Sequence, residues 1–518
     1  MAEGGAEAGG LFEKVPHRGI ITACAMVATL MQALDSTIAN VALPYMRGGL
    51  SASPDQITWV LTSYVVAAAI MTAPVGWLTA RFGRKNLFLT SLIGFTIASM
   101  LCGIAGSLTE MVLFRFLQGV FGAALVPLSQ STMLDIYPAE QRGSAMALWG
   151  MGVMVGPILG PTLGGYLTDF YNWRYVFFVN LPFGIAAVAG LALFLPRAGK
   201  RAKMSFDWTG FGLLALGLTA LQLMLDRGET KDWFSSSEII TEAVLAALGF
   251  YLFLVHMATA KKPFINPRVF FDRNCAAAMA MMFSIGMVLL ASSALLAPYL
   301  QDLADYPVRT AGLVMAPRGI GTMAAMFLAG RLSNRIDARL MMGFGLGLLL
   351  LSLFWMMGWT PVVSQWDIIV TIMVQGAGLG LVFTPLQVVA FATLDQALRT
   401  EGAAMLSLFR NVGSAIGISI FEFLLARNTQ VEHSVLAGFI TPFHRVLQAG
   451  GAVTRMLNPA TPGGAAMLSG MIDQQSQIIA YMDDYKVMLI TSLPAILLLF
   501  FMRRAARVAP SPEHSVME

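Results

Sequence analysis

GWLTARFGRK (76–85) returns at residues 330–339 as GRLSNRIDAR, with Gly, Leu and Arg at matching places and a basic residue closing each copy. A second pair keeps nearly the same offset. Gln118-Gly119 leads to Pro127-Leu128 as Gln375-Gly376 leads to Pro385-Leu386, so the offsets run from about 254 to 258. One block of the chain is therefore a duplicate of another, and both copies of the first motif occupy a short turn after the second apolar run of a six-run block.

The apolar runs themselves identify the solvent. Of 518 residues, 57% are hydrophobic and only 12% are charged, with a mean hydropathy of +0.69. A soluble domain carries about 25% charged residues. The runs have lengths near that of one bilayer crossing, about 20 residues at 1.5 Å per residue. Fourteen spans follow, at 19–45, 56–79, 86–106, 109–132, 142–169, 174–196, 207–226, 238–259, 274–300, 310–332, 340–361, 367–391, 401–426 and 484–503.

With the amino terminus placed in the cytoplasm, about 21 Lys and Arg fall inside and about 9 outside, the bias of an inner-membrane protein. The clusters RFGRK (81–85), RAGKRAK (197–203), KKPFINPRVFFDR (261–273) and RLSNRIDAR (331–339) all fall on that side. The reading is an all-α, multi-pass inner-membrane protein with both termini cytoplasmic. Residues 1–18 and 504–518 form tails, 19–196 and 274–503 form six-helix halves, and 197–273 hold two inserted helices with flanking basic loops. Parallel duplicated halves place a binding site near the midplane between them.

Several function classes are excluded by what is missing. Cys24, Cys102 and Cys275 lie in different runs without pair spacing, and the five histidines show no metal-ligand spacing, so no metal site is expected. His256, inside a span, reads as packed or snorkelling. No GxxxxGK[ST] loop occurs, which removes an ATP-driven pump. No cluster of acids or histidines gathers at one membrane face as a polytopic enzyme would need. Nothing points to nucleic acid. The first 18 residues lack the basic region and cleavage site of a signal peptide.

Five stretches carry a family resemblance over almost the whole chain. They are LDSTIANVALP (34–44) in the first span, GWLTARFGRK after the second, RFLQGVFGA (115–123) in the fourth, GPILGPTLGG (156–165) in the fifth, and LDRGETKDWFSSSEII (225–240) between the inserted spans. In this order they resemble the fourteen-helix drug:proton antiporters of the EmrB/QacA type, within the major facilitator superfamily. The resemblance implies the major facilitator fold. It also implies a gating loop built on Gly76, Arg81, Gly83 and Arg84, and a stripe of Gly156, Pro157, Gly160, Gly164 and Gly165 that seals the interface between the halves. Ala80 stands where that loop usually carries an aspartate, and Asp135, at the end of span four, is the candidate substitute.

Buried polar residues supply the chemistry. At 100° per residue, Gln32, Asp35, Ser36 and Asn40 share one arc of the first helix, expected to face the central cavity. Arg115 enters span four at a similar depth, within an arginine's reach of Asp35. Two readings stand for the pair. Either it is a structural ion pair, or Asp35 is an exchangeable proton carrier whose pKa Arg115 sets. The second half has no acid in its first span. It offers Arg318, Arg410, Asn411 and Glu422 instead, the last being a second proton site or a surface acid. Gln32, Asn40, Gln118, Arg410, Asn411 and Glu422 are the candidate substrate or cavity residues.

The function these features suggest is proton-coupled efflux of hydrophobic drugs or uncouplers by alternating access, with the proton gradient as energy source and no cofactor. An exporter of a lipid, siderophore or metabolite is the alternative. EmrB-like systems imply a periplasmic adaptor and an outer-membrane channel. Residues 427–483 form a long external loop with a Pro/Gly-rich middle, and its final stretch MLSGMIDQQSQIIAYM (467–482), apolar at helical spacing, reads either as an interfacial helix leading into the last span or as a docking surface for a periplasmic partner.

Overall fold

The computed structural model describes residues 17–138, 141–196, 205–333, 335–440, 456–458 and 460–502, and the tails, the basic loop 197–203 and the centre of the long loop lie outside the described residues. All regular structure among the described residues is helical. That is what a bilayer enforces on a chain this apolar, since each backbone N–H and C=O must be satisfied within its own segment.

Among the described residues fourteen helices make up the bundle, thirteen of them long and apolar enough to cross a membrane when the bent second helix counts as one. They are α1 (Arg18–Gly49), α2 (Trp59–Thr72 with Val75–Phe82), α3 (Arg84–Ile104), α4 (Leu108–Ile136), α5 (Arg142–Phe170), α6 (Tyr175–Phe194) and α7 (Trp208–Arg227), followed by α8 (Ser237–Thr259), α9 (Arg273–Leu303), α10 (Thr310–Leu332), α11 (Ala338–Met356), α12 (Gln365–Ala390), α13 (Arg399–Phe439) and α14 (Pro462–Phe501). We call the end holding Arg18 the near end and the opposite one the far end. An even number of crossings returns the chain to the near end, where Arg273 donates to the carbonyl of Phe501.

The ends of the spans are set by polar caps. Ser107, Asp207, Asp272 and Ser364 each accept a backbone N–H from the first turn of α4, α7, α9 and α12. α2 bends by 59° between Thr72 and Val75, at Pro74. Gly83 joins α2 to α3 at φ +85°, ψ 143°, a conformation essentially reserved for glycine. α9 ends in a π turn at Tyr299–Leu303.

α13 and α14 depart from the spans expected from sequence. α13 continues to Phe439 rather than stopping near 426, and α14 starts at Pro462 rather than 484. At 41 residues, α13 is about 62 Å long, twice a hydrocarbon core of about 30 Å. Most of the supposed loop 427–483 is thus an antiparallel helical hairpin projecting from the far end. Among the described residues no separate interfacial helix precedes the last span, because residues 462–483 run straight into it.

The packing separates the two ends. At the near end one apolar core crosses from half to half, taking in Leu125, Met133 and Trp149 together with Met326, Phe383 and Phe391. At the far end there are two cores, one within α1–α6 around Met46 and Phe177, the other within α9–α14 around Tyr299 and Phe421. The inserted α7 pairs with α8 through Gly217 and Gly249 and also touches both halves. Its Asp226 accepts from Thr62 of α2, and the neighbouring Leu225 carbonyl accepts from Ser419 of α13 at 2.9 Å.

Candidate functional site

Asp35 and Arg115 meet inside the first half, and both are fully buried. Arg115 Nη1 donates to Asp35 Oδ2 at 2.6 Å and to Gln118 Oε1 at 2.8 Å, while Gln118 Nε2 donates to Asp35 Oδ1 at 2.8 Å. The carboxylate therefore has a charged donor on one oxygen and a neutral donor on the other. Arg115 Nε donates to the Val60 carbonyl at 3.1 Å, and its guanidinium carbon lies 4.3 Å from the Tyr64 ring centroid and 5.7 Å from that of Phe177. A desolvated cation over an aromatic face gains about 2 kcal/mol. Arg115 Nη2 has no hydrogen-bond partner.

Sequence periodicity placed Gln32, Asp35, Ser36 and Asn40 on one cavity-facing arc, and the structure divides it. Asp35 turns inward to α4, and Gln32 donates to the Tyr64 hydroxyl at 3.3 Å. Ser36 and Asn40 are exposed. The carboxylate is thus sealed within its own half, because Arg115 and Gln118 offer it what an open cavity would not. Tyr64 and Val60 were not anticipated. Their spacing of four on α2 is the signal that puts both beside one guanidinium.

The glycine stripe of α5 also differs from its expected place. A Cβ on Gly156 would fall 2.7 Å from Ala33 Cβ and 2.8 Å from Leu34 N, and one on Gly160 would fall 2.1 Å from Thr37 Oγ1. The stripe packs on α1, on either side of the Asp35 turn, and not on the other half. Nothing lies within 4 Å of a Cβ at Gly165. Gly164 supplies its carbonyl to Thr168 at 2.7 Å, and the side chain of Pro157 lies outside the described residues. The seam between halves uses an earlier stretch of α5 instead, where Gly143 faces Ser333, Ala147 faces Gly330, and Gly150 faces Met326.

The near end is fastened by charge. Asp135 takes Arg84 of α3 on one oxygen and Arg399 of α13 on the other, the latter at 3.2 Å. One carboxylate therefore ties the start of α3 in the first half to α13 in the second. Arg81 is exposed. Gly76 lies against the Cβ of Glu401, whose carboxylate accepts the Asn266 N–H. Gln130 and Gln387, 257 residues apart, hydrogen-bond across the seam. Arg399, Glu401 and this glutamine pair were missed from sequence, although the repeat offset relates Gln130 to Gln387.

In the second half Arg318 donates to Ser293 and, at 3.0 Å, to the Leu289 carbonyl, and Gln375 donates to Ser292 at 3.4 Å. Arg410 and Asn411 are half-buried on α13, with no side-chain hydrogen-bond partner among the described residues. Glu422 is exposed on α13. His256 pairs with Asp207 at 2.9 Å and fastens α8 to α7. Among the described residues no group of His, Cys, Asp or Glu is arranged to hold a metal ion.

The model of the Major Facilitator Superfamily matches residues 25–418. The chain belongs to that superfamily. Within it, the chain is 34% identical over 467 residues to the multidrug export protein EmrB of Escherichia coli K12, covering 89% of this chain and 90% of the relative. It is also 34% identical to the fatty acid resistance protein FarB of Neisseria gonorrhoeae, over 88% and 90% of the two chains. Two solved structures share the fold at low identity. The human organic anion transporter MFSD10 aligns with a TM-score of 0.61 at 14% identity over 93% of this chain and all of the other. The proton:xylose symporter XylE aligns with a TM-score of 0.58 at 13% identity over 94% and 96%. This facilitator is a multi-pass membrane transporter of the EmrB group and not an enzyme.

Proposed function

We propose that this facilitator exports lipophilic small molecules in exchange for protons, with Asp35 as the proton carrier and Arg115 and Gln118 as the groups that set its affinity. The observation that carries the reading is a fully buried carboxylate whose compensation comes from a single guanidinium and a single amide. Protonating Asp35 frees Arg115 from its counter-charge, and a group so released is free to re-pair as the helices move. Each proton flowing inward supplies about 2.3 kcal/mol per 100 mV, plus the pH gradient. The relatives named for multidrug export support a broad apolar cargo.

The positive-inside bias supports an inner-membrane setting with both termini cytoplasmic, so that the near end is the cytoplasmic one. Asp135, Arg84 and Arg399 then form a cytoplasmic gate, closed in this conformation, and the α13–α14 hairpin stands in the periplasm. That hairpin is the place we assign to a membrane-fusion adaptor leading to an outer-membrane channel. Pull-down of a co-expressed adaptor by a variant shortened within 430–475 tests this, and undiminished capture removes the assignment.

A second cargo class has its own support. Arg410 is a half-buried guanidinium without a partner among the described residues, and a relative is named for fatty acid resistance. Amphipathic acids are the corresponding substrate.

The deciding experiment uses proteoliposomes with a trapped pH dye under an imposed proton gradient. Drug- or fatty-acid-dependent proton flux in wild type, absent in Asp35→Asn, is the expected result. Equal flux in both would leave Asp35 a structural partner of Arg115.

A further inference from the structure

Asp484 of α14 is fully buried, and neither of its carboxylate oxygens has a hydrogen-bond partner among the described residues. α14 lays Tyr481, Asp484 and Tyr485 along one face, at positions i, i+3 and i+4. That face meets the π turn of α9. Tyr299, Trp359, Tyr485 and Tyr481 close an aromatic ring of neighbours, with successive centroid separations of 5.8, 6.4, 6.5 and 5.3 Å. The hydroxyls of Tyr299 and Tyr485 are likewise buried and unpartnered. Four polar oxygens thus stand unsatisfied in one apolar core.

Among the described residues, the groups that act on this cluster are all acidic or phenolic. Asp302 and Tyr299 come from α9, Glu422 from α13, and Asp483, Tyr481 and Tyr485 from α14 itself. α11 contributes Trp359's neighbourhood and carries its one charge, Arg339, at the near end. Lys486 is exposed on another face of α14. A bare carboxylate in such a place costs several kcal/mol, and nothing among the described residues around it offsets that cost. A proton does.

Asp35 shows the other solution at the same depth. It lies about 26 Å along α1 from Arg18, and Asp484 lies about 26 Å along α14 from Phe501. One carboxylate per half sits at that level. The first is paired with Arg115, and among the described residues the second has no cation beside it.

We propose that Asp484 is a second proton-binding site, occupied in this conformation. Loss of its proton requires a movement that brings water or a phenol to the carboxyl, and the π turn of α9 is the segment placed to supply it. Where transport is proton-driven, as proposed above, Asp484 adds a second proton to the one carried by Asp35, and this step rests on that reading.

Infrared spectra of the full-length protein in lipid at neutral pH test the site without any substrate. The expected result is a protonated-carboxyl band that is lost in Asp484→Asn, retained in Asp35→Asn, and shifted but present in Asp484→Glu. An unchanged band in Asp484→Asn overturns the proposal. A carboxylate band responding to sodium in place of a protonated one overturns it too, in favour of a cation site. Asn is nearly isosteric with the neutral acid, and Asp484→Glu gives the same answer should the amide variant fail to insert. Protons moved inward per drug molecule exported are then counted over whole transport cycles in liposomes, and Asp484→Asn is expected to move half as many as wild type. A count equal to wild type defeats the second-proton role alone, whereas no drug-dependent proton movement in wild type defeats the antiport reading and leaves the infrared result standing.

Discussion

Gln118 and Gln375 occupy equivalent places in the two halves, and each offers its side-chain nitrogen to the first helix of its own half. Only Gln118 meets a carboxylate, Asp35 at 2.8 Å. At the same offset along the chain Gln375 meets the hydroxyl of Ser292 at 3.4 Å. Close packing behind each glutamine is duplicated as well, since a Cβ on Gly119 would meet the Tyr64 carbonyl at 2.4 Å and one on Gly376 the Arg318 carbonyl at 2.0 Å. The duplicated scaffold thus carries an ionic site in one copy and a neutral one in the other.

Removing one charge of the ionic site is expected to cost more than removing both. Arg115→Ala strands Asp35 without its cation and should lower stability by about 3–5 kcal/mol, the usual penalty for halving a buried pair. Asp35→Asn with Arg115→Gln should recover most of that stability and none of the proton-coupled flux. Thermal unfolding in detergent, read beside liposome flux, separates the two effects.

The α5 stripe should act through α1. Gly160→Ala places a methyl 2.1 Å from Thr37 Oγ1 and 2.9 Å from Thr37 Cβ, and Thr37→Ala removes the nearer of the two obstacles. We expect Gly160→Ala to reduce transport with normal membrane insertion, and the double variant to restore part of it. Restoration by Thr37→Ala identifies the α1 contact. Persistent loss in the double variant would assign the stripe to some other partner.

Asp135→Asn should loosen the near end, because one substitution weakens the ties to both Arg84 and Arg399. A cysteine pair at Gly143 and Ser333 reports this directly, since the two sites face one another across the seam. Cross-linking that is efficient in the parent and falls several-fold with Asp135→Asn is the expected outcome. Undiminished cross-linking would mean that the glutamine pair and apolar core keep the end shut unaided.

Gly83→Ala tests a backbone demand. At φ +85°, ψ 143° an alanine should cost about 1–3 kcal/mol and misdirect Arg84, which follows immediately. Lower thermal stability with weakened Asp135 pairing checks it.

The fold was legible because membrane spans and repeats announce themselves in hydropathy and offset, and the Asp35–Arg115 pair because two charges at matched depth in apolar helices have few alternatives. Helix rotation was not legible. Ser36 and Asp35 are neighbours in sequence, yet one is exposed and the other sealed, and the difference depends on Gln118 and Tyr64 reaching in from other helices. The length of α13 was hidden for another reason. Residues 427–439 are polar enough to leave the bilayer and still favour a helix, so hydropathy marks where lipid ends and not where the helix does. Asp484 sat at the nominal start of the last span, where an acid attracts no notice. Only the extension of α14 to Pro462 puts it mid-helix.

Leu225 and Asp226 are consecutive residues of α7, yet the first holds α13 and the second holds α2. Adjacent Cα atoms are only about 3.8 Å apart. Two bodies gripped at points so near one another cannot separate there by more than a side chain's length without releasing a grip. The inserted helices therefore act as a clasp that sets a maximum gape, and each turn of the cycle that exceeds it must break one of two specific hydrogen bonds. In a carrier of bulky cargo, that clasp ranks as a size limit written into the scaffold, far from any residue that touches what is carried.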